Sequence, residues 1–558
     1  MCCPLSLPLW GIQLPHRGSQ GVRQSQPANY NLPIYYFNKN PYHHLFIFWQ
    51  QNRAFFLAFP GKKEYTVKEQ KQERRNQRFF GGDSSSFKKE RKIYKMANQN
   101  TDAVYDASTL GTPKRLVLGV QHLFAMFGST VLVPILTGLS VSATLLFAGV
   151  ATLLMHLLTG KKVPVFLGSS FAFLAGYFAV VANGAEIGLS QREALPYACA
   201  GVACAGLLYL VLALVCKLFG SKNVMRFFPP VVTGPIIIAI GLILAPSAIN
   251  SCSSNWLVAL VAIVVIIVCN IWGKGMIKII PILMGVIASY LFAAVTGNVD
   301  FSGVVSAKWI GLPVQMQDTV FSLFGAENFD AGFLVSSIIM IVPIAFATMM
   351  EHVGDISAIS GTIEKNLIED PGLHRTLIGD GLGTTIASLF GAPANTTYGE
   401  NTGVLILTKV YDPAVVRLAA VFAIVLSFCP KFAALISAMP AATVGGVSII
   451  LYGMISSVGV RNMVENHTDF QKSRNIIVAA VIVGLALGIN FSGLLGANIT
   501  TAGNNATGAI TFTIGSMKVA LSGLAVASIV GIVLNAILPG KRDEYMPNEE
   551  NASSLGKF

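Results

Sequence analysis

The sequence predicts an all-α polytopic membrane protein with about fourteen transmembrane segments. Hydrophobic residues make up 53% of the chain, charged residues only 12%, and the mean hydropathy is +0.61. Soluble domains carry roughly 25% charged residues. Apolar runs long enough to cross a bilayer as helices recur from about residue 116 onwards. These observations disfavour a soluble enzyme with a large core.

The basic character of the chain belongs to its first 95 residues. This leader holds 16 Lys/Arg against 5 Asp/Glu, whereas the remaining 23 basic and 22 acidic residues nearly cancel. The net charge of +12 therefore gives no reason to expect a nucleic acid as partner. The leader also lacks the order of charge, apolar core and small-residue cleavage site that marks a signal peptide.

Two interpretations of residues 1–95 remain open. They are upstream sequence that is not normally translated, with the true start at Met96, or a disordered basic cytoplasmic tail. The stretch Met96-Ala97-Asn98-Gln99 reads like an ordinary polar N-terminus ahead of the first span. The intact mass of the natively expressed protein distinguishes the two, because a species that begins at Met1 would refute the first interpretation.

Hydropathy and loop composition divide the rest of the chain into spans. Lys/Arg residues fall in every second loop, as in Lys161-Lys162 and Lys541-Arg542. By the positive-inside rule this supports an even number of spans and two cytoplasmic termini. We therefore expect a multi-pass protein of the cytoplasmic membrane. The predicted spans are 116–137, 141–160, 164–183, 195–217, 228–247, 255–273, 277–297, 332–353, 375–392, 396–411, 413–429, 432–456, 474–493 and 510–538.

Two segments interrupt the helical pattern at matching places in the two halves. Residues 164–171 read Pro-Val-Phe-Leu-Gly-Ser-Ser-Phe, and residues 393–400 read Pro-Ala-Asn-Thr-Thr-Tyr-Gly-Glu. A pair interrupted by Pro and Gly in this way is typical of inverted repeats with broken helices at the membrane midplane. We expect each segment to supply a short extended stretch and then a half-helix, whose free backbone N–H groups face a ligand.

Two carboxylates stand out, because a charge near the membrane centre costs at least roughly 2.5–3.5 kcal/mol on insertion scales. Glu351 closes an apolar run, and Glu400 lies in the second broken segment. Asp355 follows Glu351 by four residues and shares a helix face with it. The alternatives are that Glu351 only ends a span at the cytoplasmic edge, and that Glu400 only caps its half-helix.

Other polar residues within the spans are candidates for the same site. His122 lies early in the first span, and we expect it to face the centre and to bond Glu351 or Asn401; a packed, hydrogen-bonded histidine is the alternative. Asp380 is predicted to be a structural cap beside the cavity. Tyr452 is either an interfacial aromatic residue or a cavity wall.

Two carboxylates beside an aromatic surface favour a planar ligand rich in N–H donors. A carboxylate accepts N–H bonds and backbone N–H groups bind carbonyl oxygens, so a uracil-like ring fits both. Burial favours the neutral form of a carboxylic acid, which makes a co-transported proton a natural expectation. No metal-ligand spacing and no nucleophile–base pair is visible, so we expect neither a metal, a cofactor nor an enzyme. An amino-acid or sulfate transporter stays open on this reasoning alone.

The stretch from Glu400 to Lys409 reads Glu-Asn-Thr-Gly-Val-Leu-Ile-Leu-Thr-Lys. It resembles the signature of the nucleobase–ascorbate transporter family, which is a polar Gln or Glu, then Asn-x-Gly-x-x-x-x-Thr and a basic residue or Gly. The resemblance runs from about residue 112 to 540 and is greatest to the family's bacterial uracil–proton symporters. Further motifs agree in order: Gln121-His122, Gly168-Ser169-Ser170-Phe171-Ala172-Phe173, Glu351-His352-Val353-Gly354 and Gly379-Asp380-Gly381.

The resemblance implies a 7+7 inverted repeat, in which spans 3 and 10 are each a short β-strand plus a half-helix. Spans 1–4 and 8–11 would form a core domain, and spans 5–7 and 12–14 a gate domain through which two chains form a homodimer. The implied divisions are a cytoplasmic N-terminus 96–115, core 116–217 and 332–429, gate 228–297 and 432–538, an extracellular loop 298–331 and a cytoplasmic tail 539–558.

The resemblance also implies a substrate site between spans 3 and 10. Two acids would bind the N–H and carbonyl edge of uracil, and one backbone N–H group from each broken span would bind a carbonyl oxygen. The implied substrate-binding residues are Glu351, Glu400, Phe171, Gly399, Ser129 and Tyr452. The implied proton-coupling network is Glu351, Asp355, His122 and Asn401.

Asp355 departs from the uracil branch, which has His at that position. That His is tied to proton coupling in the family, so the proton carrier stays open between Glu351 and Asp355. Asp here resembles the xanthine and urate branch, whereas Glu400, in place of the Gln typical of purine carriers, favours uracil. We expect a proton-coupled uracil symporter that works by alternating access, with a xanthine or uric acid symporter as the alternative. A channel and an anion exchanger of the same architecture are the rivals from other classes.

Overall fold

The computed structural model describes residues 103–325, 329–492, 509–514 and 517–539. The leader 1–95 and the tail beyond residue 539 lie outside the described residues. Within the described part the structure is mostly helical, with two small antiparallel sheets.

The described residues contain fourteen helices of ten or more residues, if Ala331–Ile363, which includes a 3₁₀ turn, is counted as one. They are α1 Thr112–Thr137, α2 Val141–Leu158, α3 Leu174–Glu186, α4 Gln191–Phe219, α5 Pro230–Cys252, α6 Trp256–Ile271, α7 Pro281–Val295, α8 Ala331–Ile363, α9 Leu373–Leu389, α10 Gly399–Thr408, α11 Pro413–Ser427, α12 Ala441–Glu465, α13 Ser473–Ser492 and α14 Gly523–Ile537.

The described residues also contain four strands and several shorter helical turns. The strands are β1 Leu167–Ser169, β2 Asn395–Thr397, β3 Ala509–Ile514 and β4 Met517–Ser522. The shorter helical turns are Ala107–Leu110, Ser221–Met225, Met276–Ile279, Ser302–Ser306, Met316–Asp318, Val320–Gly325, Val342–Ile344 inside α8, Ile368–Gly372 and Pro430–Ser437.

Length and composition identify the helices that can cross a membrane. Among the described residues, α1, α2, α4, α5, α8, α12 and α13 are long and apolar enough to do so alone. An eighth span results if α11 and Pro430–Ser437, which are bent by 89°, are counted together. The apolar helices α6, α7 and α14 are shorter. The chain is therefore a multi-pass membrane protein.

The sequence specifies where many of these helices begin. Ser190 and Glu193 form a capping box at the start of α4, which satisfies backbone N–H groups that have no partner inside the helix. Asp330 and Asp412 cap α8 and α11 with side-chain oxygens. The helices α5, α7, α11 and Pro430–Ser437 begin at proline, whose missing N–H group is not needed in the first turn.

The helices pack in two groups that correspond to the predicted core and gate. In the first, α4 packs against α9, α2 against α9 and α11, and α1 against α11. In the second, α5 packs against α12 and α13, and α6 against α7 and α12. The helix α1 also reaches α7 of the second group, where a Cβ atom on Gly128 would lie 2.5 Å from Ile282 Cγ2.

The strands β1 and β2 pair with each other in the middle of the core group. Their antiparallel register places Gly168 opposite Thr396, and all six residues are buried. Equivalent threonines bind the two strands from the preceding helices. Thr152 of α2 accepts from Leu167 N at 2.9 Å, and Thr384 of α9 accepts from Asn395 N at 3.1 Å.

Three predicted spans differ from the structure. The span predicted at 332–353 continues to Ile363. Hydropathy alone placed its end too early, because the polar residues after Glu351 lower the hydropathy although they pack against protein. The span predicted at 432–456 begins at Ala441, after a separate helix and Pro440. In place of one span at 510–538, two strands precede α14, and the β-branched residues of 510–514 favour the extended form.

The pairing of β1 with β2 predicts a large effect of a small substitution. A Cβ atom at Gly168 would overlap the ring of Tyr398, which is buried. We expect Gly168→Ala to lower the free energy of unfolding by about 1–3 kcal/mol, the usual cost of overpacking. Gly403→Ala is the matched control, because nothing lies within 4 Å of its added Cβ. Thermal unfolding in detergent measures both, and equal stability of the two variants would contradict the prediction.

Candidate functional site

The candidate site lies where the two broken segments meet. Ser170 N–H donates to Ala394 O at 2.8 Å, and Tyr398 N–H donates to Phe166 O at 3.1 Å, which extends the pairing of β1 and β2 at both ends. The chain then turns from β1 into α3 and from β2 into α10. The helices α1 and α8 flank the pair, so their polar side chains face the same region.

Glu400 lies in the first turn of α10 and contacts α1. Ser129, in the middle of α1, donates its hydroxyl to Glu400 Oε1 at 2.8 Å. The N-cap residue of α10 is Tyr398, whose side chain makes no capping bond. The bond to Ser129 shows that Glu400 also contacts an element outside its half-helix, and its role as a cap or as a substrate ligand stays a prediction. Gly399, the first residue of the helix, is exposed, and the N–H groups of a first turn have no partner inside the helix.

Glu351 and Asp355 lie on one face of α8 and point towards α10. Thr397, the last residue of β2, donates its hydroxyl to Asp355 Oδ2 at 2.5 Å. Glu351 is half-buried and within electrostatic range of both Asp355 and Glu400. Since α8 continues for 12 residues beyond Glu351, the interpretation of Glu351 as the end of a span is wrong.

His122 and Asn401 join α1 to α10 beside the acids. Asn401 Nδ2 lies 3.1 Å from His122 Nδ1 and donates to the backbone oxygen of His122 at 3.0 Å. Both residues are buried. Of the two bonds expected for His122, the structure contains the one to Asn401.

Two aromatic residues line the region from opposite groups of helices. Phe171, at the turn from β1 to α3, and Tyr452 of α12 meet edge to face, with ring centroids 5.9 Å apart. Tyr452 is 1% exposed, which places it inside the protein and not at the membrane interface. Tyr398 donates its hydroxyl to Ser169 O at 2.9 Å and ties the start of α10 to β1.

Sequence reasoning missed the buried pair formed by His352 and Asp380. His352 Nδ1 lies 2.8 Å from Asp380 Oδ2, His352 Nε2 lies 3.0 Å from Thr376 Oγ1, and neither ionisable side chain is exposed to solvent. The prediction of Asp380 as a structural cap is wrong, because the residue lies in the middle of α9. A usable signal was present, since each residue is ionisable and stands in a mostly apolar span.

The acids do not assemble with other ligands into a metal centre. Across the described residues, no group of three or more His, Cys, Asp or Glu side chains is placed to hold a metal ion. The six cysteines in this part of the chain are free thiols, four of them buried.

Comparison with known proteins identifies the family. A family model described as "Permease family" matches residues 113–495. The chain belongs to this permease family. Uracil permeases of Bacillus caldolyticus and Bacillus subtilis are 39% and 37% identical, over 81% and 77% of this chain and 98% and 94% of their own lengths. A uracil permease of Escherichia coli K12 is 35% identical over 75% of this chain and 90% of its own length. The resemblance found in the sequence is thereby confirmed.

Two solved structures show the same fold at low sequence identity. The transmembrane domain of the cyanobacterial bicarbonate transporter BicA has a TM-score of 0.52 at 16% identity, over 76% of this chain and 96% of that domain. The transporter structure of SLC26A9 has a TM-score of 0.52 at 11% identity, over 86% of this chain and 72% of that one. The permease therefore has the fold of these transporters, with core and gate domains and the 7+7 repeat.

The buried pair of His352 and Asp380 predicts a strong effect on stability. Removing Asp380 leaves the buried His352 ring without its polar neighbour, so we expect Asp380→Ala to lower the free energy of unfolding by about 1–3 kcal/mol. Asp370→Ala is the matched control. It breaks the exposed pair between Lys162 Nζ and Asp370 Oδ1, 2.5 Å apart, and should cost about 0–1 kcal/mol. Thermal unfolding that shifts equally in both variants would count against the buried pair.

Proposed function

We propose that the protein is a proton-coupled uracil symporter that imports uracil across the cytoplasmic membrane. The observation that carries the proposal is the position of Glu400, which the Ser129 hydroxyl holds at the start of α10 while Glu351 approaches from α8. The uracil permeases to which the chain is similar over most of their length support the same substrate.

The geometry suits the edge of a pyrimidine ring. A carboxylate accepts N–H bonds from the ring, and the free N–H groups near the starts of two half-helices donate to its carbonyl oxygens. In this scheme Glu351 and Glu400 accept, and the backbone N–H groups of Phe171 and Gly399 donate. The ring of Tyr452 closes the site from the gate side through its contact with Phe171.

Asp355 or Glu351 carries the proton in this proposal. Both are carboxyl groups inside the protein, where the neutral form is easier to accommodate than the charged one. Thr397 donates to Asp355, and that bond links the acid to β2 and through it to the start of α10. A proton on one of these acids changes the charge of the site when the substrate binds. The binding of the proton and the binding of the substrate are coupled in this way.

Transport follows from movement of the core against the gate. Uracil and a proton bind from outside, the core domain carries the broken helices past the gate, and loss of the proton inside helps release. The contact between Phe171 and Tyr452 crosses between the two domains and must change in that movement. We propose that two chains form a homodimer through the gate domain, which holds the gate still in the bilayer. Both termini of the chain are cytoplasmic in this proposal.

A xanthine or uric acid symporter is the second candidate, and Asp355 is the residue that favours it. The acid stands where the uracil branch of the family has His and the purine branch has Asp. Glu400 argues for uracil, because purine carriers have Gln at that position. Competition between the two substrates distinguishes the candidates.

Uptake of radiolabelled uracil, with xanthine as competitor, tests the proposed substrate. We expect saturable uracil uptake that excess xanthine does not inhibit. Glu400→Gln should weaken uracil transport by about tenfold or more, because a hydrogen bond to a charged group contributes about 1.5–3 kcal/mol. It should also shift the preference towards xanthine. Strong inhibition of the wild type by xanthine would favour the second candidate, and an unsaturable flux would favour a channel.

Uptake at an acidic and an alkaline external pH tests the proton carrier. The proton is a co-substrate, so wild-type uptake should rise as the external pH falls. Asp355→Asn keeps an acceptor for Thr397 but cannot take up a proton, and we expect its uptake to lose the response to pH. If the variant keeps the full response, the proton is carried elsewhere, with Glu351 as the remaining candidate.

A further inference from the structure

A short segment ahead of α1 contacts the ends of both helices that carry the acids of the site. We call residues 103–111 the strap. It contains the 3₁₀ turn Ala107–Leu110 and leads directly into α1. The strap lies at the end of the molecule where α1 begins, which the positive-inside rule assigns to the cytoplasm.

The strap pairs with the chain that follows α10. Val104 N–H donates to Lys409 O at 2.9 Å, and Tyr411 N–H donates to Val104 O at 2.8 Å. Ala107 N–H donates to Asp412 Oδ2 at 2.7 Å, while the other oxygen of Asp412 caps α11. Since α10 ends one residue before Lys409, these bonds fasten its C-terminal end.

Tyr105 of the strap reaches the end of α8 as well. Its hydroxyl donates at 3.0 Å to the backbone oxygen of Ile363, the last residue of α8. The last carbonyl groups of a helix have no partner inside the helix, so this bond anchors the helix end. The centroids of the Tyr105 and Tyr411 rings lie 5.4 Å apart. Lys365 Nζ lies 4.7 Å from the centroid of the Tyr105 ring. One side chain therefore contacts both the end of α8 and the chain just after α10.

The fastened ends are connected to the acids through helix. Glu351 lies 12 residues before Ile363, about 18 Å along α8, and Glu400 lies 9 residues before Lys409, about 13 Å along α10. The helix α10 has only ten residues, and helices of that length are marginal without contacts to other elements. A displacement of the two ends against each other would therefore change the spacing of the acids.

We infer that the strap sets the relative position of α8 and α10 and that Tyr105 is a positioning residue for substrate recognition. The inference rests on the proposed transport function, in which one substrate is held by Glu351 and Glu400 together. Loosening the strap allows the two acids to move apart. The affinity for the substrate then falls, whereas the movement of the core against the gate is left unchanged.

Uptake kinetics in three variants of the full chain test this role. Tyr105→Ala removes the hydroxyl and both ring contacts, and we expect KM for uracil to rise by about five- to tenfold, with the maximal rate per transporter within about twofold of the wild type. Tyr105→Phe keeps the ring and should raise KM less. Thr109→Ala is the matched control, because the exposed Thr109 hydroxyl donates at 2.8 Å to Asp106 O inside the strap. It should leave KM unchanged.

An unchanged KM in Tyr105→Ala overturns the inference. A lower maximal rate at constant KM overturns it as well, because that pattern indicates loss of folded protein. The amount of each variant in the membrane is therefore measured alongside uptake. If the wild type takes up no uracil, the proposed substrate is wrong. The role of the strap is then tested without a substrate, by deuterium exchange of the α10 backbone amides. Faster exchange in Tyr105→Ala than in Thr109→Ala supports the strap, and equal exchange overturns it.

Discussion

The site depends on the requirement that every backbone polar group at membrane depth has a partner. Three residues of β1 and three of β2 leave the helical form inside the protein, and their mutual pairing satisfies only one edge of each strand. Thr152 and Thr384 satisfy groups on the other edge, from equivalent positions in the two halves. The hydroxyls of two threonines thus help to satisfy the backbone where the helices are broken.

This broken geometry explains why the acids are where they are. Each strand ends next to a half-helix, so Glu400 and Gly399 are presented at the start of α10, not along the side of a continuous helix. The bonds of Ser129 to Glu400 and of Thr397 to Asp355 then fix these two acids to elements other than their own. The site is therefore a junction of α1, α8, α10 and the two strands. The strap contacts the end of α8 and the chain just after α10.

Much of the fold and of the site could be predicted from the sequence, because the decisive signals are local. Pro164 and Pro393 mark the broken segments, and an acid in an apolar run such as Glu351 is conspicuous. The contact of Ser129 with Glu400 spans 271 residues and was not predicted; only the resemblance to a family suggested that Ser129 belongs to the site. The pair of His352 and Asp380 was not predicted, because no local sequence pattern tells which buried polar residues will contact each other. The antiparallel pair of β3 and β4 before α14 was not predicted, because hydropathy measures how apolar a segment is and not whether its backbone is helical or extended.

The crossing of α1 and α7 has a practical consequence for structure determination. Gly128 has no side chain, and Ile282 of the gate fills the space that a Cβ atom would occupy. Any displacement of the core against the gate has to change this contact. A pair of cysteines at these two positions would therefore join α1 to α7 covalently in the arrangement described here. Such a cross-link would favour a single conformation in a cryo-electron microscopy sample.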